Sequence, residues 1–184
     1  MSLLVNLNER AAKVKLLLMD VDGVMTDGTL WNIPDGQGGF AETKGFDSQD
    51  GIALQWLSWN GIKTGVISGR VSPATEIRAK QCKMTYIYQG HIEKIPILEE
   101  IVADAKISPD EIAYIGDDLT DVVIFRRVGL AIAVNNARPE VKAAAHHVTE
   151  AKGGQGAVRE AVEMILAAQG LWDEILTKYE VRQR

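Results

Sequence analysis

The sequence predicts an α/β fold with a Rossmann-like parallel sheet and helices on both of its faces. Apolar runs alternate with segments of helical period along nearly the whole chain, which is the pattern of βαβ units. The first run, residues 14–19, is rich in leucine and valine, as is typical of a strand buried on both faces, and it ends directly at acidic residues. With 184 residues and 46% hydrophobic content, the chain is long enough to bury one sizeable core. We therefore expect one domain over residues 1–184.

Short apolar runs bounded by turn residues predict the strands. The predicted strands are residues 14–19, 63–67, 84–88, 111–115, 130–134 and 147–149. Between them, apolar residues recur at the helical period, and several segments begin with residues that start helices. The predicted helices are residues 52–60, 73–80, 92–105, 119–127, 139–144 and 157–169.

One insert, at about residues 28–45, departs from this alternation. Two extended runs, residues 29–33 and 40–44, flank a turn rich in glycine, proline and aspartate, which predicts a β-hairpin. The hairpin should project near the sheet edge where the first strand ends. For the tail, about residues 171–184, a continuing helix and a loose end both stay open.

Charge and cysteine content exclude several classes of partner. The net charge of −5 argues against nucleic acid or an anionic membrane surface as the main partner, because both need basic patches. The single Cys82 has no internal disulfide partner, which fits a reducing compartment. No apolar run approaches the ~20 residues of a membrane span, and the first ten residues lack a secretion signal. We expect a soluble, cytoplasmic protein.

The strongest functional signal is the pair Asp20 and Asp22, directly after the first predicted strand. Side chains two residues apart on extended backbone point the same way, so both carboxylates can face one site. Gly23 then permits a sharp turn. An isolated motif of this kind is more often an acidic turn, so the interpretation depends on the rest of the chain.

Polar residues also follow three later strands. Ser68 could be a helix cap, and Lys94, near the start of a predicted helix, could be a solvated lysine. Asp117, Asp118 and Asp121 follow the next strand. Carboxylates crowded at a buried strand end repel one another unless a cation lies among them, and Mg²⁺ prefers such hard oxygen ligands. The sequence therefore indicates a magnesium site at the carboxyl edge of the sheet.

In order and spacing, these residues resemble the four motifs of the haloacid dehalogenase superfamily. Within it, the chain is similar to the capless phosphatases of 3-deoxy-D-manno-octulosonate 8-phosphate. Residues 20–28, 50–51, 67–70, 116–121 and 153–160 carry this closer resemblance. It implies a Mg²⁺-dependent phosphoric monoester hydrolase without a cap domain, which acts in the synthesis of lipopolysaccharide precursors.

The resemblance implies a catalytic role for each motif residue. Asp20 attacks phosphorus and forms an aspartyl-phosphate, and Asp22 first protonates the leaving sugar oxygen and then deprotonates water. Ser68 and Lys94 hold phosphoryl oxygens.

The resemblance also implies the residues of the metal site. Mg²⁺ is held by Asp20, the main-chain carbonyl of Asp22, and Asp117. Asp118 and Asp121 position the metal-bound water and the catalytic lysine.

Arg70 and Arg78 match family positions that bind the sugar acid, and guanidinium groups suit its carboxylate. The implied substrate-binding residues are Asp22, Asp47, Ser48, Gln49, Asp50, Gly51, Gln55, Gly69, Arg70, Arg78 and Lys94. Gln49, Gln55 and the pair Glu76 and Ile77 depart from the family pattern, because basic residues are usual there. A different keto-deoxy sugar acid therefore stays open.

Three alternatives remain at this point. Related capless enzymes act on nine-carbon sugar acid 9-phosphates. Those relatives have a glutamate at the position that matches Arg70, so the arginine favours the eight-carbon substrate. A receiver-type signalling domain also groups aspartates, a hydroxyl residue and a lysine around Mg²⁺, but it pairs adjacent acids on its first strand and carries the phosphoacceptor on a later one. Here Asp20 and Asp22 share the first strand. The resemblance further implies a homotetramer in which packed hairpins help to enclose the site; a hairpin that covers its own core is the simpler alternative.

Overall fold

The computed structural model describes residues 3–182. The strands in this range are β1 (Leu16–Met19), β2 (Trp31–Pro34), β3 (Phe40–Thr43), β4 (Lys63–Ser68), β5 (Tyr86–Gln89), β6 (Ile112–Gly116), β7 (Leu130–Ala133) and β8 (His147–Val148). The α-helices are α1 (Leu3–Ala11), α2 (Ser48–Trp59), α3 (Pro73–Gln81), α4 (Ile95–Ala105), α5 (Leu119–Phe125), α6 (Pro139–Ala144), α7 (Ala157–Ala168) and α8 (Trp172–Lys178).

Six strands form one parallel sheet in the order β5-β4-β1-β6-β7-β8, which confirms the predicted fold class. Strand β1 lies inside the sheet and pairs with β4 on one side and β6 on the other. All four of its residues are fully buried, because helices cover both faces of a parallel sheet. Since parallel strands run in one direction, residues that follow β1, β4, β5 and β6 meet at one edge.

Seven of the helices in the described residues form two groups. Helices α1, α2 and α8 each pack against α7, and helices α4 and α6 each pack against α5. Helix α8 occupies half of the predicted tail and follows a turn at Gly170, whose φ is 73°. Residues 183 and 184 lie outside the described residues. Within the described part of the chain, no helix is both long enough and apolar enough to cross a membrane.

Two helices begin elsewhere than predicted, each for a local reason. Helix α2 begins at Ser48, four residues before the predicted start, because Asp47 caps it by accepting a hydrogen bond from the main-chain N–H of Gln49 at 2.6 Å. Helix α4 begins at Ile95 and not at residue 92. Its first turn contains Pro96, whose fixed φ suits the start of a helix.

Strands β2 and β3 form an antiparallel hairpin that is separate from the main sheet. All four residues of β2 are exposed, and so is much of β3. Trp31 is 58% exposed and Phe40 is 71% exposed. The hairpin therefore presents apolar side chains to solvent in a single copy of the chain, while its second strand leads back toward the sheet edge.

Candidate active site

A buried lysine joins two of the predicted carboxylates. Lys94 Nζ lies 2.9 Å from Asp20 Oδ2 and 2.7 Å from Asp121 Oδ1. It also lies 3.0 Å from the hydroxyl of Tyr114, a residue of β6 that the sequence pattern does not single out. An ammonium group has three N–H donors, so all three have partners. The structure thus brings together residues that follow β1, β5 and β6.

The charges of this group depend on one another. Burial alone lowers the pKa of Lys94, but the carboxylates of Asp20 and Asp121 outweigh burial and raise it, so the ammonium form is retained. Burial raises the pKa of Asp20 to about 6, with Lys94 opposing the rise and Asp121 adding to it. A further cation beside Asp20 would favour the ionised carboxylate that a nucleophile requires.

Asp121 organises the turn after β6. Its Oδ2 accepts hydrogen bonds from the main-chain N–H groups of Asp117 at 2.9 Å and Asp118 at 3.2 Å. Its Oδ1 accepts from the hydroxyl of Tyr114 at 2.9 Å as well as from Lys94. Asp121 is fully buried and fully hydrogen-bonded, so it holds its neighbours in place while its own geometry is fixed.

Three carboxylates fit a divalent cation. One oxygen from each of Asp20, Asp117 and Asp121 lies within 4.8 Å of the others. Asp117 Oδ1 is buried without a hydrogen-bond partner. Burial, followed by the charges of Asp121 and Asp20, raises the pKa of Asp117 to about 8. The Asp117 carboxylate occupies the space that a side chain on Gly23 would need. An unpartnered buried oxygen among like charges is what a hard cation such as Mg²⁺ would satisfy.

Asp118 lies outside this cluster. Its side chain is exposed, and Oδ1 accepts a hydrogen bond at 2.7 Å from the main-chain N–H of Leu119, so Asp118 caps α5. The observed contact of the Asp118 side chain is therefore a helix cap, and Asp118 is not one of the three residues whose carboxylate oxygens cluster.

A second charged group surrounds Asp22. Lys44, directly after β3, contacts Asp22 Oδ1 through its Nζ, which also lies 3.3 Å from Glu42 Oε1. Arg70 Nε lies 3.7 Å from Asp22 Oδ2, and Arg70 Nη2 contacts Glu42 Oε2. The side chain of Lys44 is only 1% exposed. Neither Lys44 nor Glu42 is among the residues predicted from the sequence, although their spacing of two residues places both on one face of the hairpin strand.

Ser68 is buried at the end of β4, next to β1 in the sheet. Its hydroxyl oxygen accepts a hydrogen bond from the main-chain N–H of Arg70 at 3.2 Å. This contact shapes the turn through half-buried Gly69 and directs the chain toward the exposed Arg70. Ser68 therefore lies at the predicted edge.

Arg78 lies beside the start of α2. Its Nη2 donates to the main-chain carbonyl of Asp47 at 2.8 Å, and its guanidinium covers Gly51, where a side chain would overlap it. Arg78, exposed Ser48 and Lys44 line an open groove of about 380 Å³.

Gln49 is exposed at the start of α2, and Gln55 is half-buried six residues further along the same helix. Neither of the two has a side-chain contact that places it beside the groove. Both lie on α2, the helix that begins at Ser48.

Asp50 engages the protein interior. Its Oδ1 accepts a hydrogen bond from the main-chain N–H of Arg159 at 2.8 Å, in the first turn of α7, and its Oδ2 is buried without a partner. Burial raises the pKa of Asp50 to about 6. The structure therefore places this predicted substrate-binding residue as a link between α2 and α7.

Comparisons with known proteins agree with this geometry. The family profile of haloacid dehalogenase-like hydrolases matches residues 65–161. The 3-deoxy-D-manno-octulosonate 8-phosphate phosphatase of Yersinia pestis is 41% identical over 161 residues, which cover 88% of this chain and 84% of that protein. The chain therefore belongs to the haloacid dehalogenase-like hydrolases and, within them, to the family of 3-deoxy-D-manno-octulosonate 8-phosphate phosphatases.

Solved structures show the same relationship. A probable phosphatase of Pseudomonas syringae is 38% identical, with a TM-score of 0.92 over 98% of this chain and 99% of that one. The 3-deoxy-D-manno-octulosonate 8-phosphate phosphatase of Moraxella catarrhalis, solved with magnesium, phosphate and the sugar acid, is 38% identical with a TM-score of 0.89 over 94% of this chain and 97% of that one. The family resemblance and the expectation of an enzyme are confirmed.

Proposed function

We propose that this protein is a Mg²⁺-dependent phosphatase that converts 3-deoxy-D-manno-octulosonate 8-phosphate to the free sugar acid and phosphate. One observation carries the proposal: at one sheet edge, Asp20 contacts a buried lysine beside an acidic cluster, and Asp22 lies two residues further along the chain. Relatives that carry this activity in their names support the choice of substrate. The pathway would be the synthesis of lipopolysaccharide precursors.

The residues divide the reaction into two displacements. In the first, a carboxylate oxygen of Asp20 forms a bond to phosphorus while the bond to the sugar oxygen breaks, and Asp22 gives that oxygen a proton. In the second, Asp22 takes a proton from water as the water attacks the aspartyl-phosphate, which releases phosphate and restores Asp20. Lys94 and Ser68 hold the phosphoryl oxygens, and Asp121 positions Lys94 through its 2.7 Å contact.

Asp20, Asp117 and the main-chain carbonyl of Asp22 would hold the Mg²⁺, with Asp121 fixing the turn that carries Asp117. When bound, the ion supplies charge stabilisation for the phosphoryl group and relieves repulsion among the carboxylates. Asp118 would contribute to the metal site only indirectly, because it is adjacent to Asp117 in the chain.

Two arginines would recognise the sugar acid. Arg70 lies beside Asp22, close to the reacting atoms, and Arg78 lines the neighbouring groove. Planar guanidinium groups bind carboxylates through paired hydrogen bonds. Because neutral Gln49 and Gln55 stand where the family usually has basic residues, a nine-carbon sugar acid 9-phosphate is the second candidate substrate.

The assembly would be a homotetramer. The exposed apolar side chains of the hairpin, including Trp31 and Phe40, support an association through this element. A cytoplasmic location stays a prediction that cell fractionation would test.

Phosphate release tests the proposed function. We expect Mg²⁺-dependent turnover of the eight-carbon substrate to exceed that of nine-carbon 9-phosphates, and to disappear on chelation of the metal. Asp20→Asn should abolish turnover because an amide is not a nucleophile toward phosphorus, whereas Asp173→Asn, on the exposed surface of α8, should not. Turnover in Asp20→Asn equal to that of the native protein would show that the mechanism is wrong.

A further inference from the structure

The hairpin places a buried charge against the acid–base residue. Lys44 Nζ contacts Asp22 Oδ1, and the lysine side chain is 1% exposed. Burying an ammonium group is costly, and an apolar residue of similar volume often stabilises such a position at least as well. Stability alone therefore gives no reason for a lysine here.

The two oxygens of Asp22 have different surroundings. Oδ1 is in contact with the ammonium of Lys44, whereas Oδ2 is buried without a hydrogen-bond partner among the described residues and lies 3.7 Å from Arg70 Nε. A carboxyl group can carry its proton on either oxygen, and an ammonium group can only donate. The proton is thus directed to Oδ2.

Glu42 completes the arrangement. Its Oε1 lies 3.3 Å from Lys44 Nζ, and its Oε2 contacts Arg70. Glu42 and Lys44 lie two residues apart, so the same strand face delivers both, and they hold each other in place. The geometry at Asp22 therefore depends on the register of the hairpin.

We propose that Lys44 is a positioning residue for proton transfer: it holds Asp22 Oδ1 so that Oδ2 delivers the proton to the leaving oxygen. This proposal rests on the proposed function. As the phosphorus–oxygen bond to the sugar breaks and the bond to Asp20 forms, the proton passes from Oδ2 to the sugar oxygen. The remaining carboxylate of Asp22 keeps its contact with Lys44.

Leaving-group chemistry provides a readout that a purely structural role would not change. The alkoxide of a sugar needs a proton to leave, whereas p-nitrophenolate leaves without one. In Lys44→Met, we expect kcat/KM for the sugar acid phosphate to fall about 10- to 100-fold, a part of the about 10²–10⁴-fold contribution of a general acid, and kcat/KM for p-nitrophenyl phosphate to fall less than about threefold. Lys44→Arg should restore most of the lost activity.

Lys80→Met is the matched control, because the amine of Lys80 pairs with exposed Glu76 on α3 at 2.6 Å. It should change neither activity. The ratio of the two activities within one preparation does not depend on the folded fraction, so a destabilised variant still gives an answer. Equal losses toward both substrates in Lys44→Met, or no loss toward either, would overturn the proposal.

A double variant sharpens the test. In an Asp22→Asn background, Lys44→Met should not change the ratio of the two activities further, because the proton donor is already absent. An additional change in this ratio would contradict the proposal. If the native enzyme does not hydrolyse the sugar acid phosphate, the proposed substrate is wrong and the role of Lys44 is still testable. The same comparison with p-nitrophenyl phosphate is then made with another alkyl phosphate that the enzyme hydrolyses.

Discussion

Asp50→Asn should make the stability of this protein less dependent on pH. Asp50 is 2% exposed, and burial raises its pKa from the usual 3.8 to about 6. As pH rises, the unfolded chain releases this proton first, so the folded chain binds more protons in this interval and the free energy of unfolding falls. A shift of about two pKa units corresponds to about 3 kcal/mol, lost between about pH 4 and pH 6.

The asparagine variant has no ionisation at this position. Its main-chain contact with Arg159 survives, and the nearby charges of Asp47 and Arg78, which raise and lower the pKa of Asp50 respectively, are the same in both proteins. The difference between variant and native unfolding free energies should therefore shift by about 3 kcal/mol in favour of the variant across this interval.

Urea unfolding in the presence of a chelator, at fixed protein concentration and from about pH 4 to pH 8, measures this difference. Asp110→Asn, in an exposed turn before β6, serves as the matched control and should follow the native curve. Native and Asp50→Asn curves that stay parallel would show that Asp50 ionises in the folded protein as it does in the unfolded chain.

Three further predictions concern specificity, assembly and packing. Arg70→Ala should lower kcat/KM for the sugar acid phosphate by roughly 10- to 150-fold, since a hydrogen bond to a charged group contributes about 1.5–3 kcal/mol; an aryl phosphate, which has no carboxylate, should lose much less, and equal losses would contradict the assignment. Trp31→Ser combined with Phe40→Ser should convert the proposed tetramer to smaller species in light scattering, and an unchanged mass would exclude the hairpin as the contact. Gly153→Ala should lower the free energy of unfolding by about 1–3 kcal/mol in urea, because the added methyl would overlap the main-chain carbonyl of Gly23; an unchanged midpoint would refute this.

The strands of the main sheet follow from the sequence because each is a short apolar run between turns. Their carboxyl ends then place Asp20, Ser68 and Lys94 at one edge without knowledge of any side-chain contact. Helix α1 is not predicted, although at nine residues it is as long as the predicted α3; it packs against α7, which is distant in sequence. Pattern alone does not reveal such a tertiary contact.

Side-chain directions were the main limit of the site prediction. In the sequence, Lys44 is an ordinary polar residue at the end of a strand. It is buried only because the hairpin folds against the segment that carries Asp22. Asp50 is predicted to bind substrate, but its side chain points into the protein and accepts a hydrogen bond from the first turn of α7. A match to a family motif identifies a residue type at a position and does not give the direction of its side chain. Tyr114 lies within an apolar strand, where its hydroxyl gives no signal of the contact with Lys94.

The charge balance of the acidic cluster links two binding events. A bound cation would oppose the raised pKa of Asp117; with the carboxylates of Asp20, Asp117 and Asp121 then all ionised, the single ammonium of Lys94 leaves a surplus of two negative charges, which equals the charge of one divalent cation. Without that cation, a phosphate dianion meets a site of its own sign. Phosphate and cation should therefore bind with positive cooperativity, and thermodynamic reciprocity requires each to raise the affinity of the other by the same factor.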